Sequence, residues 1–531
     1  MKKNHTSQTG HIDRREVLMG AVGAVASTAA FTAGSAVFPA PAQAAPSGKL
    51  RVAVASLMDQ SIDPFFQSGG LARPINAHLY NSFFRDNDKG QRELDLAASY
   101  SVSADRKTVT FKMREDVVFW DGTPLTADDA AWSWKAFTTR TPPSADVPGL
   151  KKTIESVTAT DKYTVEIKLF QPTPMECREF LAWFYISSKT HYEKVGAEAF
   201  KTQPMGTGPF KVVRNEVGSL CEMEANELHY RKDRIPGVRS LRLQVVPEPT
   251  TRIAQLRAGE VDLIEGITGV QALQLGADPN VTIVKSPATA LLKLNFVEVG
   301  HNVKPWDDIR FREALVISVN QDEIVQGLLR QGKPSPNAHV YPGALGYSEA
   351  MFPVRKYDPA RAKALIKEAG LVGFEFDLLG YRSSSYPSIP EVIQAIAGYW
   401  SDLGLKPKIT VMESGSYFTS FVNRKLHGVA AQGWPFYNDL RRPAAFLITG
   451  ANYGATDNFP EIDDRYRQLV NEPDQDRQVK LAQEMHKFCY DNFLLGTCPW
   501  SDSQWAVSKK VKAWVRPTGD PYTTRLESIQ L

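Results

Sequence analysis

The chain has 531 residues and a mass of 59.0 kDa, enough for about three to four domains of ordinary size. Hydrophobic residues make up 43%, charged residues 23% and aromatics 10%, which excludes a fibrous, a disordered or a polytopic membrane protein. With 62 Lys+Arg against 59 Asp+Glu there is no field for gripping a nucleic-acid backbone, and four cysteines are too few for a disulfide scaffold.

Residues 17–48 carry no charged side chain, but they are rich in Ala, Gly, Ser and Thr. A membrane span needs about 20 strongly apolar residues, so this stretch reads as an export signal. Lys2, Lys3 and Arg14-Arg15 precede it, and the small-x-small site Ala42-Gln43-Ala44 ends it, which is the order of charged, apolar and small segments that signal peptidase recognises. Asp13-Arg14-Arg15-Glu16-Val17-Leu18-Met19 resembles the twin-arginine signal of the Tat exporter. Cleavage near Ala44 and a periplasmic location are expected. In that oxidising compartment Cys177, Cys221, Cys489 and Cys498 either pair or remain as buried thiols.

Along the mature chain, residues 50–55 alternate as a strand and 72–84 read as a helix. Residues 108–113 alternate strongly, and Asp121-Gly122 supplies a tight turn. Thr126 with Asp129 forms the N-cap pair of a helix. Strands are expected at 161–169, 211–214, 239–245, 261–264 and 291–296, and a helix at 251–258. After residue 300 helices alternate with strands: Asp308 caps a helix to Val319, Asp358-Pro359 starts another that Gly370 stops, and 374–379, 389–403, 407–412, 415–424 and 475–491 read as strand, helix, strand, helix and helix. That alternation argues for an α/β lobe.

Several motifs in order carry a resemblance. Residues 99–129, with Phe119-Trp120-Asp121-Gly122-Thr123-Pro124 at their centre, are followed by Trp132-Ser133-Trp134, by Gly206-Thr207-Gly208-Pro209-Phe210, by 259–264, by Leu294-Asn295-Phe296, by 305–314 and by 357–370. The series resembles the family 5 solute-binding proteins of ABC importers, which include the oligopeptide, dipeptide and nickel binders. Locally these motifs are strands, turns and caps, so they identify a scaffold and leave the ligand open.

The resemblance implies an α/β, two-lobed periplasmic binding protein fold with an inserted subdomain and two crossing hinge strands. The expected division is lobe I from 45–85, 206–296 and 498–531, an inserted subdomain at 86–205, and lobe II at 297–497. Residues 292–296 are the expected first crossing and 497–499 the return. A ligand, a small molecule or short peptide, would close the hinge between the lobes and pass to a membrane permease. The chain is expected to act as a monomer, without nucleic acid, cofactor or metal.

The expected pocket lies at Gly433-Trp434-Pro435-Phe436-Tyr437-Asn438-Asp439-Leu440-Arg441-Arg442. It resembles the family's Gly-Trp segment, in which peptide binders place an acid three residues after the Trp and oligopeptide binders an Arg just before the pair. Here those positions hold Tyr437 and Ala430-Ala431-Gln432, so both peptide charge anchors are missing. Trp434, Phe436 and Tyr437 suit stacking. Arg441, and Arg382 beside Tyr381, suit carboxylates or phosphates. Met58 and Asp59, after the first strand, form a second candidate rim. A polar organic solute is the leading ligand class. Asn438 is a further candidate pocket residue. Two alternatives stay open: a peptide held by Asp439, and a metal chelate, as in the nickel branch, reached by His427. No Gly-x-Ser-x-Gly, His-Glu-x-x-His or Cys-x-x-Cys motif occurs, so an enzyme is not expected.

Overall fold

A computed structural model describes residues 45–57, 60–65, 73–87, 92–141, 147–172, 181, 184–300, 303–338, 345–383, 386–434, 459–472, 474–515 and 524–531. The expected signal at 1–44 lies outside them. Among the described residues no helix is long and apolar enough to cross a membrane.

The strands, in chain order, are β1 (Lys49–Val54), β2 (Phe84–Asp86), β3 (Arg92–Leu94), β4 (Ala97–Val102), β5 (Thr108–Met113), β6 (Ile154–Asp161), β7 (Thr164–Leu169), β8 (Phe210–Glu216), β9 (Leu220–Ala225), β10 (Ser240–Val245), β11 (Leu263–Glu265), β12 (Val281–Phe296), β13 (Glu375–Tyr381), β14 (Lys406–Met412), β15 (Val429–Trp434), β16 (Leu495–Gly496) and β17 (Trp500–Ser508). One long sheet runs β14-β13-β15-β12-β17-β11-β1-β10-β9-β8, with β16 also on β12. A separate antiparallel sheet, β4-β5-β7-β6, carries the helix Ala127–Thr139.

Two elements hold the long sheet together. β12 pairs antiparallel with β17 from Val281 to Leu291 and with β15 from Leu291 to Phe296. One strand therefore serves both lobes and changes neighbour at Leu291, just after an irregularity between Ser286 and Ala290. At the lobe I end, the Arg51 guanidinium forks onto Asp262 (Nη2 to Oδ1 2.7 Å, Nε to Oδ2 3.0 Å), locking the entry to β11 against β1, as a bidentate pair does best.

Three expectations need correction. The strand placed at 291–296 begins ten residues earlier. Its first part contains Lys285, Ser286 and Pro287, which break the apolar pattern that marks a strand. The strand at 161–169 begins only at Thr164: Asp161 ends β6, accepts from the Tyr163 amide at 2.9 Å and turns the chain into β7, as aspartate does in tight turns. The helix at 72–84 stops at Leu79, whose carbonyl accepts from the Gly208 amide at 2.9 Å. That approach requires glycine, since a Cβ on Gly206 would lie 2.1 Å from the same oxygen. The Thr126–Asp129 capping box forms as expected.

Lobe II has its own core, with Trp306, Phe311, Phe376 and Trp400 in edge or tilted contact and the Trp400 indole N–H donating to the Leu315 carbonyl at 3.0 Å. The C-terminal residues Leu526 and Ile529 join the core formed by Leu50, Val52 and Leu241, and buried Glu527 accepts from Arg234 (Nη2 2.8 Å, Nε 3.1 Å). Cys221, Cys489 and Cys498 are buried and free; Cys177 lies outside the described residues.

Candidate functional site

β13, β14 and β15 are parallel, with Tyr381 opposite Met412 and Leu378 opposite Val429, so their C-terminal ends lie together. Ligands of open α/β sheets sit outside such ends. Trp434, the last residue of β15, pairs with Leu291, and Leu291 pairs on its other side with Trp500. The end of the lobe II sheet and the crossing strands thus meet at one place.

Tyr381, Arg382 and Trp434 all fall at this end. Met58, Asp59, Phe436, Tyr437, Asn438, Asp439 and Arg441 lie outside the described residues. The Tyr381 ring is buried between Tyr417 (centroids 4.6 Å) and Phe418 (5.1 Å), and burial pushes its hydroxyl well above the usual range. That hydroxyl accepts from the Gly433 amide at 3.1 Å. Tyr381 therefore positions the end of β15. Arg382 is exposed and makes no ion pair among the described residues. Its amide donates to the Met412 carbonyl at 3.2 Å.

Gly433 has a steric reason to be glycine. A Cβ there would sit 2.3 Å from the Tyr386 ring, which covers the other face of the strand. Tyr386, Leu292, Gln331, Pro499 and Asp502 line one depression at the crossing. On the lobe I side, Gln60 is buried at φ +43°. Its side-chain amide donates to Asn215 Oδ1 (3.0 Å) and to the carbonyls of Glu216 (2.7 Å) and Leu220 (2.9 Å), and it accepts from the Gly218 amide (2.6 Å). A fully satisfied buried amide of this kind rigidifies the chain around it, here the segment just after β1.

Sequence reasoning missed Lys293. It lies on β12, two residues past Leu291, is 2% exposed and donates to the Ala338 carbonyl. No described carboxylate pairs with it. Burial lowers its amine to about 7, outweighing the opposing influence of Cys498 and Cys489. Burial also keeps both thiols protonated by raising their pKa values, and it lowers His486 to about 3, with the Lys293 charge adding to the effect. The signal was present in Leu291-Leu292-Lys293-Leu294, a lysine inside an otherwise apolar strand at the centre of a sheet.

His427 does not join this end. It precedes β15, at the end where Val429 meets Phe296, and its Nδ1 lies 3.3 Å from Glu298. Among the described residues no group of three or more His, Cys, Asp or Glu could hold a metal.

Two sheet segments joined by strands common to both, with parallel strand ends facing the junction, define a two-lobed ligand-binding protein. The family described as "Bacterial extracellular solute-binding proteins, family 5 Middle" matches residues 92–456, and the chain belongs to it. It is 25% identical over 453 residues to the dipeptide-binding protein of Escherichia coli K12, covering 79% of this chain and 83% of that one. Among solved structures, DppA of Helicobacter pylori in complex with the peptide STSA superposes with a TM-score of 0.79 at 21% identity, covering 91% of this chain and 98% of that one. MoaA of A. tumefaciens R10 in complex with mannopinic acid gives a TM-score of 0.77 at 23% identity, covering 91% and 99%. The chain is a solute-binding component of an ABC importer.

Proposed function

We propose that the chain is exported by the Tat route, is cleaved near Ala44 and works as a periplasmic monomer. It captures a polar, carboxylate-bearing organic solute between lobe I (45–85, 206–296, 498–531, with 86–205 inserted) and lobe II (297–497), and hands it to a membrane permease without chemical change. The observation that carries this reading is the meeting of three parallel strand ends with the change of neighbour at Leu291. Aromatic stacking by Trp434, Phe436 and Tyr437 and charge pairing by Arg382 and Arg441 would hold the solute, with Met58 and Asp59 closing from lobe I.

Native mass spectrometry of the protein taken from its own periplasm reads the mass of the retained solute. Calorimetry with that solute then tests the pocket. Trp434→Ala is expected to weaken binding by roughly 10- to 100-fold, and an unchanged affinity overturns the pocket assignment. Arg14→Lys with Arg15→Lys is expected to hold the precursor in the cytoplasm, and normal export of that variant overturns the Tat route.

A peptide reading is favoured by the similarity to the dipeptide-binding protein. It needs Asp439 to hold the amino terminus. Binding of free but not N-acetylated peptides would select it.

A further inference from the structure

The crossing strand carries polar groups that its core position does not explain. Lys293, Asn295 and Gln432 are 2%, 0% and 2% exposed. Lys293 faces Gln432 across the β12–β15 ladder, and Asn295 Nδ2 donates to Gln432 Oε1 at 3.2 Å, so the three lie on one face. Leu291 holds the matching register position two residues earlier, and Trp500 stands opposite it in the β12–β17 ladder.

Among the described residues, the indole N–H of Trp500 and the Oδ1 of Asn295 are buried without a hydrogen-bond partner. The Lys293 ammonium has three donors and one described acceptor, Ala338 O. Buried polar groups are almost always satisfied, and an isolated buried ammonium is among the costliest. Among the described residues, the groups packed around it supply no counter-charge. His486 and Cys489 come from the helix Gln475–Asp491 and Cys498 from the short segment between β16 and β17, and burial keeps all three neutral at pH 7. Among the described residues, two donor groups with bonds to spare and an acceptor thus stand along the strand where the lobes join, with Lys293 packed beside the helix Gln475–Asp491.

We propose that this face is an anion subsite, in which Lys293 and the Trp500 indole N–H take a carboxylate of the captured solute while Asn295 Oδ1 accepts from a neighbouring hydroxyl or N–H. The proposal rests on the carboxylate-bearing solute of the preceding section and adds the residue that reads it. The subsite also has a proton signature. The buried amine is largely neutral at pH 8, its value lying at about 7. A carboxylate beside it favours the charged form, so binding takes up close to one proton (~0.9) at pH 8.

Calorimetry of the mature protein with mannopinic acid and with the peptide Ser-Thr-Ser-Ala, each in two buffers of different ionisation enthalpy at pH 8, tests this. The expected result for at least one probe is proton uptake by the wild type. Lys293→Met should abolish the uptake and weaken binding roughly 10- to 100-fold, and Trp500→Phe should weaken it several-fold with the uptake kept. Lys293→Gln replaces Lys293→Met if the latter does not fold. A wild type that binds without proton uptake, or a Lys293 variant that binds as tightly as the wild type, overturns the subsite and leaves the receptor reading intact. Capture of neither probe, with a neutral solute retained from the periplasm, overturns the carboxylate class and the subsite with it.

Discussion

The amide of Gly433 donates to the hydroxyl of Tyr381 across 3.1 Å, so the last turn of chain before the candidate pocket is tied to a strand it follows by more than fifty residues. The hydroxyl is buried and the ring is clamped by Tyr417. Tyr381→Phe keeps the ring and leaves the Gly433 amide unsatisfied. The expected cost is about 1–3 kcal/mol, measured by denaturant unfolding. A cost near zero would show that the bond does not position β15.

Gly433→Ala acts on the opposite face. Its Cβ would meet the Tyr386 ring at 2.3 Å, and that ring cannot stay. The expected outcome is a larger loss of solute affinity than of stability, read by calorimetry against a thermal melt. Equal affinity in the variant would show that Tyr386 does not shape the site.

Glu527 lies near the C-terminus, yet it is 1% exposed and held by Arg234 and Arg525. Its carboxyl stays well below the usual range: burial opposes this, and the guanidiniums of Arg234 and Arg525, with His78, outweigh it. Glu527→Gln leaves two buried guanidiniums without their anion. It is expected to destabilise the protein by about 3–5 kcal/mol, whereas removing the exposed pair Lys201–Glu198 is expected to cost under about 1 kcal/mol. Similar costs for the two pairs would contradict the assigned burial.

Acid stability should follow two histidines. Burial holds His229 at about 4 and His486 at about 3, while the unfolded chain protonates both near 6.5. Between those values the unfolded state binds more protons, so stability rises with pH across that window. It is complete above about 6.5 and is lost as pH falls toward 3. Unfolding midpoints measured from pH 7.5 to 4 should fall steadily, and His486→Phe, which cannot protonate, should flatten the lower part. An unaltered slope in that variant would remove His486 from the account.

Lys293 has the opposite place on the pH axis. Its amine lies at about 7 in the folded protein and near 10.4 in the unfolded chain. The folded state is penalised below about pH 7, and the penalty fades as pH rises toward 10.4. Lys293→Met is expected to stabilise the unliganded protein by on the order of 3 kcal/mol at pH 7, with the gain shrinking at pH 9. Destabilisation at pH 7 would show that the ammonium is compensated in the folded state.

The local elements were legible in the sequence because each is built by short-range physics. The helix Gln475–Asp491 has its apolar period, Asp358 and Pro359 mark a helix start, and Thr126 with Asp129 closes a capping box three residues wide. The ordered series of motifs across residues 99–370 further identified the scaffold. Length, near-neutral charge and the charge-free stretch 17–48 were sufficient to expect an exported globular receptor rather than a nucleic-acid or membrane-embedded protein. Tertiary structure alone decided which ends come together. Leu291 pairs with both Trp434 and Trp500, 143 and 209 residues away along the chain, and Lys293 is a surface-type residue until two flanking strands and a helix bury it. Local pattern sets the period of a strand, whereas its neighbours, and hence the desolvation of the charge it carries, are set by hydrogen-bonded pairing between segments that no sequence window contains.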